Sequence, residues 1–280
     1  MHPPAHKRAR FLHVLLAGLI LGGVLGTTGC SSNRTPRPSP FVPADTLSST
    51  VDRDSVLAVL TSMRRTAFDS SFSALDEYAF TRSVRTEQMT PAGTTTAIRS
   101  YVARYRPRAA RVPGMLLRRD SVGTVRGGGL FGWAAPNQNP EARPTDLADQ
   151  ILPDQPAFVE ARTREAFTYA LQPDSLSDGT PTWILDATAR THGTGQEQSV
   201  RYARLTIERA SKQLIGLLIV RDDDVLLFGE ESRTSIRLRR ADDPEGPWVP
   251  HVVRARSSVD IPFQPARQFR VVSAFYNYRR

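Results

Sequence analysis

The side chains that do most enzymatic chemistry are sparse in this chain and poorly spaced for it. One cysteine, Cys30, stands in LGTTGCSS, Leu25 to Ser32. Two histidines follow it, His192 in the turn-like THGTG and His251 beside Pro250, and neither has HExxH or other metal spacing. No serine sits in GxSxG, the setting of a nucleophile elbow. Asp222, Asp223 and Asp224 could attract calcium, but the EF-hand pattern is absent, and RDDD reads as a solvated hairpin tip. The glycines at 127–129 lack the Lys and Ser/Thr of a phosphate loop. Asp174 and Asp178, in QPDSLSDG, read as turn residues rather than a paired acid and base. The expectation is a non-enzyme with no catalytic residues, no metal and no cofactor.

Cys30 is better explained by its setting. Lys7, Arg8 and Arg10 precede the apolar run FLHVLLAGLILGGVLG, and small residues lead into Gly29-Cys30. A basic n-region, an apolar h-region and a small-residue cleavage site make a secretory signal. The run is about 15 residues, short of the roughly 20 that a membrane span needs. The segment resembles the bacterial lipobox, with Thr27 where that motif usually has leucine. The resemblance implies that 1–29 are removed and that Cys30 carries acyl chains. Two or more chains make a stable anchor. The alternative is an incidental cysteine near an ordinary signal-peptidase site. Ser31 stands where an aspartate would imply retention at the inner membrane in enteric bacteria. An outer-membrane anchor with the domain facing the periplasm is therefore the expectation.

Cleavage leaves about 250 residues, enough for one large domain or two small ones. The chain is +9, and 1–29 hold three of its basic residues and no acid, so the remainder stays near +6. Lys7 and Lys212 are the only lysines; the other basic residues are arginine. Such charge suits nucleic acid or anionic lipid. An exported, tethered protein does not meet nucleic acid, so that partner is excluded and lipid headgroups stay open.

The elements must then position whatever binds. Residues 30–48, rich in Pro, Ser and Arg, read as the lipidated cysteine and a flexible tether. Ser49 to Arg65 reads as a helix with Val56, Leu57, Leu60 and Met63 on one stripe, and a second short helical piece follows near Ser73 to Tyr78. From Tyr78 the period becomes two: Tyr101, Ala103 and Tyr105 share one strand face, Arg104 and Arg106 the other. Many strands separated by turn signals continue to the end, which argues for an antiparallel sheet that curls or closes. LIGLLIV, Leu214 to Val220, is the most apolar of them. The interval 127–158 is a long Gly- and Pro-rich loop of the kind that is usually functional or mobile.

A lipobox, a tether, a leading helix and a run of strands together resemble the LolA/LolB-like half-barrels, the periplasmic lipoprotein carrier and its outer-membrane receptor. RYARLTIERASKQLIGLLIV resembles one of their hairpins, turning through Glu208, Arg209 and Lys212. GPWVPHVVRAR and RQFRVVSAFYNY resemble their closing strands. The resemblance implies a mainly β fold with α in residues 49–280: a curled antiparallel sheet, an open half-barrel, packed against one or more helices. Its concave face would bind lipid or the acyl chains of another lipoprotein, for transfer or localisation. Tyr101, Tyr105, Phe167, Tyr169, Trp183, Leu185, Ile215, Leu217, Phe269 and Val271 are the expected lining. The same residues could instead form a packed core, leaving a scaffold that recruits an envelope protein partner. A hydrolase of envelope polymers is the weakest class. In receptor-type members a protruding loop touches the membrane, and Leu130, Phe131 and Trp133 are the expected equivalents. The alternative is that this loop folds back over a barrel end.

Overall fold

The computed structural model describes residues 39, 41–43, 47, 52–63, 65–107, 114–125, 152, 156–190, 199–225, 228–241, 244–260 and 265–280. Two short helices come first, α1 (Arg53–Ser62) and α2 (Arg65–Ser73), then a 3₁₀ turn at Ala74–Glu77. Ten strands follow: β1 (Ala79–Met89), β2 (Thr95–Tyr105), β3 (Gly114–Val122), β4 (Phe167–Ser177), β5 (Thr180–Ala189), β6 (Val200–Glu208), β7 (Leu214–Val225), β8 (Phe228–Arg240), β9 (Trp248–Asp260) and β10 (Arg267–Arg279). They form one sheet in the order β3-β2-β1-β10-β9-β8-β7-β6-β5-β4. Every neighbouring pair is antiparallel.

The sheet does not close, because β3 and β4 are both edges. It is mainly β, as the strand signals require, and matches an open half-barrel. The helices are a smaller part than a long leading helix implies. The expected helix breaks at Met63, whose backbone is extended (φ −64°, ψ 127°). Val56, Val59 and Leu60 are buried on α1; Phe68 and Phe72 on α2 and Leu75 just after continue that stripe. Helices of nine and ten residues are marginal alone. The sheet holds them through this apolar stripe, while Gln213 Nε2 donates to Ala67 O (3.0 Å) and Ser71 Oγ (2.6 Å) on α2. Among the described residues no helix is long and apolar enough to cross a membrane.

Turn chemistry fits the hairpins. Asp178 and Gly179 both have positive φ, 49° and 81°, as a two-residue hairpin of the mirror-image type needs. Asp222–Asp224, expected at a hairpin tip, lie inside β7, opposite Glu231, Glu230 and Gly229 of β8. Asp222 and Glu231 face each other, and like charges opposite one another repel across a ladder; an ion pair from Arg201 to Asp222 offsets this. At the other end of the meander Glu208, 5% exposed, ties three elements together. It accepts from Arg240 Nη2 (2.7 Å), Trp248 Nε1 (3.0 Å) and the Ser211 hydroxyl.

Candidate functional site

Register places one line of side chains across all ten strands. Leu171, Leu185, Leu205, Leu217, Ile236 and Val253 run from β4 to β9. Ser273, Val84, Tyr101 and Arg119 complete the line on β10, β1, β2 and β3. The helices pack on β4, β7 and β9 from this side. The inner face is thus apolar over six strands and turns polar toward the β3 edge.

Seven of the ten expected lining residues meet in one buried cluster here: Tyr101, Tyr105, Phe167, Leu185, Ile215, Leu217 and Val271. Tyr169 and Trp183 pack against it half-buried. Phe269 is buried but stands apart from it. Trp183 carries Lys212 Nζ 4.0 Å above its ring, so a cation shares that side of the wall. Phe68, Phe72, Phe158, Leu152, Leu205 and Ile207 are fully buried in the same mass. Burial raises Tyr169 to about 12, and its hydroxyl donates to Phe158 O (2.7 Å). The helices and the 156–166 segment therefore cover the inner face with side chains.

Beyond the apolar rows the face carries arginine. Arg82 on β1 aligns with Phe275 and Ala103, Arg99 on β2 with Thr86, and Arg119 on β3 with Tyr101. Sequence reasoning passed over Arg82, although Phe80, Arg82, Val84 and Thr86 share one strand parity and so one face. It also passed over Met115, Leu116 and Leu117, 44–49% exposed on the edge strand β3.

The opposite face has its own small apolar patch of Phe41, Tyr202, Leu218 and Val220. The stretch read as tether supplies Phe41, with Arg256 5.5 Å above its ring. Ser39 donates to Glu231, and Leu47 N–H donates to Asp186 Oδ2 (3.0 Å), which also takes a two-pronged bond from Arg204.

Cys30, Leu130, Phe131, Trp133 and His192 lie outside the described residues. His251 stands mostly exposed on β9, and its partial desolvation together with the nearby Arg239 holds it below its ordinary value. Among the described residues no three His, Cys, Asp or Glu side chains gather as metal ligands. A groove of about 590 Å³, open to solvent, lies between Tyr78, Ala241, Arg280 and 244–247, at the margin of the apolar cluster to which Tyr78 and Ala241 belong.

No protein-family model matches the chain, and no curated protein does. It is similar to solved structures at low identity. One is described as an outer membrane lipoprotein-sorting protein domain from Vibrio parahaemolyticus (10% identical, TM-score 0.29, 80% of this chain and 91% of that one). Another is a DUF1329 family protein from Desulfovibrio piger (15%, 0.27, 79% and 91%). A third is a LolA superfamily protein from Nitrosomonas europaea (12%, 0.26, 75% and 91%).

Proposed function

We propose that the chain is a non-catalytic envelope lipoprotein whose half-barrel binds a hydrophobic ligand, a lipid or the acyl chains of another lipoprotein. The observation that carries this reading is the single apolar cluster on the inner face of an open sheet, roofed by two short helices. An acyl chain gains about 25 cal/mol for each Å² of apolar surface it buries, without directional partners. A roof of marginal helices held mainly by Val56, Val59, Leu60, Phe68 and Phe72 can lift without breaking a strand ladder. Lipidation at Cys30 and an outer-membrane position belong to the same proposal.

The packed interior favours a second reading, a filled barrel that recruits an envelope partner. Native mass spectrometry of the gently extracted full chain separates the two. A co-purified lipid, or uptake of a fluorescent fatty acid by the folded protein, supports the carrier reading. A folded protein that holds no lipid and takes up no probe refutes it and leaves the scaffold.

A further inference from the structure

Arg82 heads the fully buried side chains by size, at 1% exposure, and it sits within the apolar face. Its Nε donates to Ser273 Oγ at 2.8 Å, and its guanidinium carbon lies 5.4 Å from the Phe275 ring centre. It also donates to Tyr105, which accepts from Tyr101 as well. Its Nη1 has no partner, and no carboxylate pairs with it among the described residues. That arrangement is expensive. A buried charge without a counter-charge is destabilising. A face built only to pack would carry leucine or methionine at this position.

The surroundings suit an anion rather than a packing role. Burial raises Tyr101 to about 12 and raises Tyr105 too, so both stay neutral hydroxyls rather than phenolates that would repel an anion. Arg99, exposed on the same face of β2, and Arg119 opposite Tyr101 continue the positive charge to the open β3 edge. Arg99 acts electrostatically on Tyr101, as Arg82 does. The charge thus runs from solvent to the buried guanidinium, alongside the apolar rows.

We propose that Arg82, with Tyr101, Tyr105 and Ser273, forms an anion subsite on the inner face of β1, β2 and β10. It takes the carboxylate or phosphate head of an acidic amphiphile whose chain lies on the apolar rows beyond. This rests on the reading of that face as a hydrophobic-ligand site. The guanidinium edge at Nη1 supplies the donor geometry that carboxylate and phosphate both match.

The test uses the full chain purified in maltoside and two photoactivatable C18 probes, a fatty acid and the matching fatty alcohol. The acid-to-alcohol labelling ratio is expected to fall roughly ten- to a hundredfold from wild type to Arg82→Met, the range for losing a hydrogen bond to a charged group. Arg82→Lys falls between them. Lysophosphatidic acid competes with the acid probe, whereas uncharged monoacylglycerol and millimolar inorganic phosphate do not. Equal ratios in wild type and Arg82→Met overturn the subsite and spare the hydrophobic-ligand reading. Displacement by inorganic phosphate alone overturns the amphiphile in favour of a small free anion. Labelling by neither probe refutes the hydrophobic-ligand reading and the subsite with it. Should Arg82→Met not fold, wild-type competition decides, and equal competition by lysophosphatidic acid and monoacylglycerol overturns the proposal.

Discussion

Removing the Glu208 carboxylate should be the most damaging single change outside the apolar cluster. Its side chain is 7% exposed and Arg240 is 30% exposed. Breaking a buried ion pair costs about 3–5 kcal/mol when the survivor is stranded. Arg240 is not fully stranded in Glu208→Ala: its Nη1 keeps the Gly246 carbonyl at 2.8 Å, and its guanidinium stays 4.4 Å above the Trp248 ring. The stranded group is Trp248 Nε1, a buried donor whose orphaning costs about 1–3 kcal/mol. Adding the lost charge-assisted bond from Arg240 brings the total to about 3 kcal/mol. For a domain of this size that is a fall in Tm of roughly 6–12 °C. Glu208→Gln keeps the shape and one acceptor, so about half that loss is expected. Thermal unfolding followed by near-UV circular dichroism measures both. Pairing Glu208→Ala with Trp248→Phe should recover about 1 kcal/mol or more, since the orphan donor is then gone. A Glu208→Ala chain that melts within about 3 °C of wild type, with no coupling to Trp248, refutes the account of this knot.

Four further outcomes follow from the same contacts. Burial pushes Glu87 and Glu208 up, but bonds from Arg85 and Arg270 to Glu87, and from Ser211, Trp248 and Arg240 to Glu208, leave both below their ordinary 4.5. Their stabilisation is complete above about pH 4.5 and lost as pH falls through the depressed values, so Tm should drop on that limb and flatten in Glu87→Gln with Glu208→Gln. A proton NMR titration should place His251 below 6.5, and Arg239→Gln should move it back up. Phe41→Ala should speed hydrogen exchange at the Leu47 amide, bonded to Asp186, while changing global Tm little; unchanged exchange would count against Phe41 fastening this stretch to the outer face. Leu116→Lys with Leu117→Lys on the exposed edge should shift stability by no more than about 0.5 kcal/mol in urea melts.

Much of the sheet was legible because strand parity is strict. The face shared by Tyr101 and Tyr105, and the apolar strand Leu214–Val220, follow from alternation and from composition. What escaped depends on distant partners. Nothing near Ala79–Met89 announces that β1 pairs with β10 rather than with a neighbour in sequence. RDDD reads as a turn by composition, yet a strand accommodates it once Arg201 answers Asp222. Helix periodicity carries through Met63, but extended backbone there restarts the helix so that Phe68 and Phe72 reach the cluster. Arg82 was visible as an arginine in an apolar register. That no carboxylate among the described residues pairs with it is a fact of three dimensions, because only packing shows which acids reach it.

The two faces of the sheet accordingly impose different constraints. On the outer face, Ser39 on Glu231, Phe41 over Leu218 and Val220, and Leu47 on Asp186 fasten 39–47 across β5 to β8. Under the proposed lipidation, only eight residues, nine Cα–Cα steps, lie between Cys30 and Ser39. Fully extended, they span at most about 30 Å. A tether free to residue 48 would reach roughly twice as far. Were Cys30 lipidated as proposed, the docking of Phe41 would shorten the reach of the tether and hold the domain nearer the membrane. The inner face, with its helical roof and the arginines of β1 to β3, takes no part in these contacts and is the face on which the proposed ligand would lie. The described contacts that fasten 39–47 share no residue with α1 and α2, so the displacement of these helices that the carrier reading proposes would not loosen them.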